Sequence, residues 1–170
     1  PIINNFDAIA FENLEKSYGI CELISEILDY MKAKFDKNNI KIIIDYNVDH
    51  KIYVVNYTFT EAISNILDNS IEAFIENYVV NRTIFIKTES QNNTFNLKIE
   101  DNAGGIDEKI LPKILEPYFT TKHQSQGKGL GLTNAYKTVV KIHKYLLSFD
   151  NYETIIDNKK YKGLCVSISF

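Results

Sequence analysis

The sequence predicts an α+β fold, a two-layer α/β sandwich with helices on one face of a mixed, mostly antiparallel sheet. Three observations predict it. Apolar residues recur at helical spacing over 20–35 and again over 58–74. Segments 82–89 and 94–101 alternate with period two. The last segment sets Leu164, Val166, Ile168 and Phe170 on one side and Cys165, Ser167 and Ser169 on the other, as a sheet with a single buried face requires. With 170 residues and 45% hydrophobic content, the chain has room for one domain with a core and not for two comfortable ones.

Residues 1–18, with Phe6, Ile9 and Ala10 able to share a helical face, read as a linker or the tail of an upstream helix, which leaves 19–170 for the domain. Ile20, Leu23, Ile24, Ile27, Leu28, Met31 and Phe35 follow the i, i+3, i+4, i+7 rule, and Lys37-Asn-Asn39 ends that helix. The β-branched runs 40–46 and 51–55 read as a strand pair around Asp49-His50. Thr58-Phe-Thr-Glu61 has capping-box spacing and opens a second helix, with Phe59, Ala62, Ile63, Ile66, Leu67, Ser70, Ala73 and Phe74 along one side. Two strands follow, 82–89 and 94–101, joined by the turn-forming Gln91-Asn-Asn93. The stretch from 102 to 128 offers one short helical segment, near 109–115, and a loop of that length in a small domain is usually functional or mobile. A third helix buries Leu132, Ala135, Tyr136, Val139 and Val140, and strands 145–150 and 163–170 close the chain.

The net charge of −3, with Lys and Glu scattered, argues against a nucleic-acid surface, which needs a concentrated basic stripe. Cys21 and Cys165 have no metal-ligand spacing around them, which fits a reducing cytoplasm better than a disulfide framework or a zinc site. No run approaches the roughly 18 apolar residues that span a bilayer, and the start at a proline reads as a piece of something longer. Any membrane anchor of the parent would lie on that other sequence.

Four segments carry the chemistry: Asn65-Ile-Leu-Asp-Asn69, Asp101-Asn-Ala-Gly-Gly105, Glu116-Pro-Tyr-Phe-Thr-Thr-Lys122 and Gly127-Lys-Gly-Leu-Gly131. Five of the seven glycines fall in the second and fourth, where backbone must approach a ligand closely or take up positive φ. Continuing the alternation of Phe95, Leu97 and Ile99 points the Asp101 carboxylate at the core, where it needs a donor. Backbone amides of the following turn could satisfy it, or the exocyclic amine of an adenine.

Asn65 and Asn69, four residues apart, share one flank beside the apolar stripe. They suit either a solvated helix edge or an amide oxygen, that of Asn69, on Mg²⁺. Glu72 and Glu76 on the same flank read as surface acids. Gly127, Lys128, Gly129, Leu130 and Gly131 lead straight into a helix, so free N–H groups can face an anion. A P-loop is excluded because it needs Gly at Lys122 and Ser or Thr at Gly129. A Rossmann fingerprint is excluded because Gln124-Ser-Gln126 is no strand. Lys122 and Lys128 either add charge for phosphates or solvate the loop. His50 and His123 sit in turns and His143 on a helix stripe, none in the setting of a phosphoryl acceptor.

In this order and at these separations the segments resemble the N, G1, F and G2 boxes of the catalytic and ATP-binding domain of bacterial sensor histidine kinases, at 65–73, 101–106, 116–122 and 127–132. The resemblance covers about 20–170. It implies the Bergerat ATP-binding fold, ATP and Mg²⁺ as cofactors, Asp101 on adenine, Asn69 on the metal and an ATP lid over 109–128. Asn65, Gly104, Gly105, Ile106, Thr121, Lys122, Gly127, Lys128, Gly129, Leu130, Gly131 and Leu132 are implied as further nucleotide-binding positions. Residues 1–18 become the tail of an upstream dimerisation helix.

No catalytic residue is expected on this chain, because the phosphoacceptor histidine of the family sits on a dimerisation and histidine phosphotransfer domain. A response regulator is the implied onward partner. The sequence departs from the pattern at Ala103, where the family usually has glycine, and at Glu72, where many relatives carry a basic residue. Gyrase, Hsp90 and MutL types place a glutamate base four residues before the metal-binding Asn. Here that place is Asn65, and an amide cannot accept a proton from water. A hydrolytic ATPase and a nonenzymatic nucleotide-responsive module remain as alternative functions.

Overall fold

The computed structural model describes residues 14–116, 130–156 and 158–170. The chain enters through β1 (Lys16–Gly19), and α1 (Ile20–Lys37) starts at once. All seven residues of its expected stripe are buried, Ile20 through Phe35. Asn39 then takes a positive φ of 52° and turns the chain into β2 (Ile40–Tyr46). β3 (Lys51–Val54) leads to α2 (Asn56–Glu76), and β4 (Arg82–Gln91) and β5 (Thr94–Asp101) follow as a hairpin. Its turn residues Asn92 and Asn93 have φ of 51° and 62°, the left-handed pair that matches strand twist.

A 3₁₀ turn at Leu111–Lys113 stands where the short helix was expected. α3 (Gly131–Tyr136) continues as widened π-helical turns over Lys137–Ile142, before β6 (Leu146–Ile156) and β7 (Lys159–Ser169).

The main sheet has the order β2-β4-β5-β7-β6, with β2 and β4 parallel and every other pair antiparallel. One buried cluster joins Ile84, Ile86, Leu97, Ile99, Val166 and Ile168 of the sheet to the stripes of α1 and α2. The other face is polar, crossed by the ion pairs Lys87–Glu100 at 2.7 Å and Lys98–Glu89 at 2.6 Å. These are the two layers that the period-two and period-3.6 patterns dictate. No helix among the described residues is long and apolar enough to cross a membrane.

Several local expectations are corrected. β2 and β3 do not pair with each other: β2 joins β4, while β3 forms a separate two-stranded sheet with β1. The connector is held open. Thr88 donates its hydroxyl to Val48 O at 2.6 Å, His50 O receives the Ile20 amide at 2.9 Å, and Asp49 Oδ1 receives that of Cys21 at 3.1 Å. Residues 16–18, expected in a linker, therefore belong to β1.

The capping box also fails. α2 starts two residues before Thr58, at Asn56, whose preceding Val55 makes no side-chain cap; Thr58 instead donates to Val55 O at 2.9 Å from within the first turn. The final hairpin outruns its expected limits because backbone pairing continues to Ile156↔Lys159 through polar residues that leave no apolar alternation.

Candidate functional site

β5 ends on Asp101 with its side chain at the core face, as alternation requires, and 3% exposed. Its carboxylate is met by protein donors. Oδ2 accepts from the Ser70 hydroxyl at 2.8 Å, and Oδ1 from the amides of Ala103 at 2.9 Å and Leu164 at 3.3 Å. Burial raises the carboxyl above its ordinary range, and these donors pull the other way.

The loop after Asp101 is built from amide side chains. Asn102 receives the Thr83 amide at 2.8 Å and donates to Asn81 O at 2.7 Å; Asn77, just past α2, donates to Ala103 O at 2.5 Å. Gly104 and Gly105 then take φ of +104° and +75°, so the left-handed turn falls there and Ala103 stays in the core at 1% exposure. Gly104 N bonds Lys162 O at 2.9 Å, and Asn151 grips both the N–H and the C=O of Ile106.

This loop, one flank of α2 and the start of α3 enclose a cavity of about 560 Å³. Asn65, Asn69, Asp101, Gly105, Ile106, Leu130, Gly131 and Leu132 all line it. Gly104 does not; it borders the neighbouring groove under Lys159–Lys162. Thr121, Lys122, Gly127, Lys128 and Gly129 lie outside the described residues, as do His123 and most of the expected lid. Asn69 Nδ2 donates to Asn65 O at 2.6 Å along the helix, which directs the amide group; a Cβ on Gly131 would come within 3.4 Å of that nitrogen. The helix of the fourth segment thus lies against the second Asn of the first.

The charged residues of the lining are all acidic: Glu61, Asp68, Glu72, Glu76 and Asp107 line the cavity with Asp101, and no Lys or Arg does among the described residues. The remaining histidines are elsewhere. His50 stacks on Phe95 at 5.1 Å between centroids, and His143 is buried with Nε2 3.1 Å from the Thr58 hydroxyl and Nδ1 3.1 Å from Glu15 Oε1.

The family described as "Histidine kinase-, DNA gyrase B-, and HSP90-like ATPase" matches residues 55–170. The chain belongs to this family. This ATPase-family domain is 27% identical over 162 residues to Sporulation kinase A of Bacillus subtilis (strain 168), covering 94% of the chain and 24% of that protein. It therefore spans about a quarter of the length of that curated relative. Its fold is that of the catalytic domain of histidine kinase ThkA, with a TM-score of 0.74 at 24% identity over 92% of this chain and 94% of the other. A second ThkA structure, in complex with response regulator protein TrrA, matches at a TM-score of 0.71 and 22% identity over 92% of this chain and 41% of that one.

Residues whose contacts pattern reading did not show line or brace this cavity. Ser70 entered only as part of the apolar stripe, although its hydroxyl reaches Asp101; a serine among aliphatic positions was the available signal. Asn77, Asn102 and Asn151 each bond backbone of the 102–106 loop or its supports, and Asn151 lies beyond the expected end of its strand, where nothing marked it.

Proposed function

We propose that this domain holds Mg-ATP in the cavity between α2, the 101–106 loop and α3, and presents the γ-phosphate to a histidine carried by a dimerisation and histidine phosphotransfer domain. One observation carries the reading: Asn69, Asp101, Gly105 and Gly131, drawn from three segments distant in sequence, converge on a single cavity. In this reading Asp101 accepts from the exocyclic amine of adenine, and Ser70 and two backbone amides fix the carboxylate for that contact.

The metal fits the donor set. Asn69 offers one hard amide oxygen, and the described residues hold no cluster of three or more His, Cys, Asp or Glu able to cage an ion. Mg²⁺ characteristically takes few protein ligands and completes its shell with phosphate and water. When bound, the ion would neutralise phosphate charge beside the acidic residues of the lining.

Asn65 supports transfer over hydrolysis, since it lines the cavity with an amide where a base is needed to activate water. In the step proposed, an imidazole nitrogen bonds to the γ-phosphorus as the bond to the β–γ bridging oxygen breaks, and ADP leaves with that electron pair. The two described histidines, His143 and His50, are engaged elsewhere, and in this reading the nucleophile is supplied by the phosphotransfer domain. A response regulator is the onward acceptor, a role that the ThkA complex supports by likeness. The reading assigns the domain to the cytoplasm, where ATP is available.

Labelled ATP tests it. The chain alone should bind ATP with negligible turnover, and addition of the parent's histidine-bearing dimerisation segment should yield acid-labile phosphohistidine on that segment. Sustained hydrolysis by the chain alone favours the ATPase, and an unlabelled histidine in a folded fusion favours the nonenzymatic module.

A further inference from the structure

Asn151 stands on β6, paired through the backbone with Leu164 of β7, and does not line the cavity. Its side chain nevertheless makes two hydrogen bonds to one residue of the cavity rim. The Ile106 amide donates to Asn151 Oδ1 at 2.8 Å, and Asn151 Nδ2 donates to Ile106 O at 2.6 Å. A side-chain amide here reproduces the paired N–H and C=O contacts that one strand residue makes with its neighbour.

The fit around this clamp is close. A Cβ on Gly105 would come within 2.6 Å of Asn151 Oδ1 and 3.1 Å of Gly163 O, so the loop lies directly on the β6–β7 hairpin. Beyond the clamp, Asp107 O accepts from Ile110 and Leu111, both at 2.9 Å, and Asp107 Oδ1 accepts from Lys109 at 2.8 Å. Ile106, Asp107 and Ile110 all line the cavity. The two Asn151 bonds therefore fix the point from which this rim departs.

We infer that Asn151 is a positioning residue of the nucleotide site, acting through Ile106 to hold the rim in its binding geometry; the inference rests on the nucleotide reading above. The two bonds lie in an exposed setting. Water can replace an exposed hydrogen bond at small cost to stability. A rim that must be ordered anew at each binding event weakens affinity instead. Positioning and simple structural support thus predict different outcomes.

The test compares wild type, Asn151→Ala and Asn151→Ser in the full chain by calorimetric titration with Mg-ADP, nucleotide-free thermal midpoint and amide exchange at Ile106. Asn151→Ala should lower ADP affinity about tenfold and speed Ile106 exchange, with the midpoint within about 2 °C of wild type. Asn151→Ser, which can restore one bond, should fall between the two. Wild-type ADP affinity in Asn151→Ala overturns the inference alone, as does an affinity loss that only tracks a falling midpoint across both variants. Failure of the wild type to bind Mg-ADP overturns the nucleotide reading and the inference with it, and the Ile106 exchange rates then still report whether the clamp exists. If Asn151→Ala does not fold, Asn151→Ser decides by the same criteria.

Discussion

The Asp101 carboxyl is met by three protein donors and still borders the cavity, and no Lys or Arg among the described residues lines that cavity with it. Replacing it with Asn should remove a charged acceptor worth roughly 1.5–3 kcal/mol, lowering ADP affinity about ten- to a hundredfold by calorimetry. Stability should move differently. Because burial raises the folded-state carboxyl, its contribution is fully present below the unfolded pKa and is lost as pH rises through the folded one. The wild-type midpoint should therefore rise relative to that of Asp101→Asn as pH is lowered toward the ordinary carboxylate range.

Asn69 is the complementary case. Among the described residues its side chain bonds along its own helix flank, and Asn69→Ala should abolish most of the Mg²⁺ dependence of ATP binding with little change in midpoint. A full Mg²⁺ response in that variant assigns the ion to another residue. Both positions were readable from spacing, because strand alternation fixes a side and a four-residue helical step fixes a flank. Ser70 and Asn151 were not readable, because their importance is a contact made across the fold by side chains ordinary for their elements.

The incoming strand, α2 and the end of α3 meet at His143, whose ring joins Glu15 ahead of β1 to Thr58 in the first turn of α2. Phe59 and Tyr145 flank the same ring, at centroid distances of 6.1 Å and 6.4 Å. Burial holds the imidazole below its ordinary range, more than Glu15 raises it. A depressed folded pKa gives stability that is present above the unfolded value of about 6.5 and is lost as pH falls through the folded one. The midpoint difference between wild type and His143→Gln should shrink as pH is lowered from 7.5 to 5, and a difference independent of pH contradicts the assignment.

Sequence showed this histidine on a helix stripe but not its partners. β1 escaped notice because its four residues are at most half-buried and carry no apolar alternation. The mistaken pairing of β2 with β3 has a related cause: alternation specifies which face a strand buries and not which strand lies beside it. Helices α1 and α2 were found at nearly their true lengths, since a buried stripe repeated over about four turns leaves one phase that fits.

The sheet is assembled from two hairpins, β4–β5 and β6–β7, and a parallel edge strand, β2, that returns to β4 across α2. The hairpins are local, while β5 and β7 are neighbours that join residues as distant as Asn96 and Ser169. Between the paired Glu100 and Cys165 lies the chain that supplies Asp101, Gly105, Ile106, Leu130, Gly131 and Leu132 to the cavity. Half of the site is therefore a closed loop whose ends meet only when the most distant pairing in the sheet forms.

That arrangement governs time as well as shape. Closing a long loop before its contacts can reward it is the slow part of folding, and no cavity exists for a ligand until it is done. Saturating Mg-ADP should accordingly leave the refolding limb of a stopped-flow chevron unmoved and slow the unfolding limb by the full factor of its stabilisation, about a hundredfold at a concentration one hundred times Kd. Acceleration of refolding by ADP would mean that the site forms before β5 and β7 meet. On that predicted order, a nucleotide would arrive last and delay only departure.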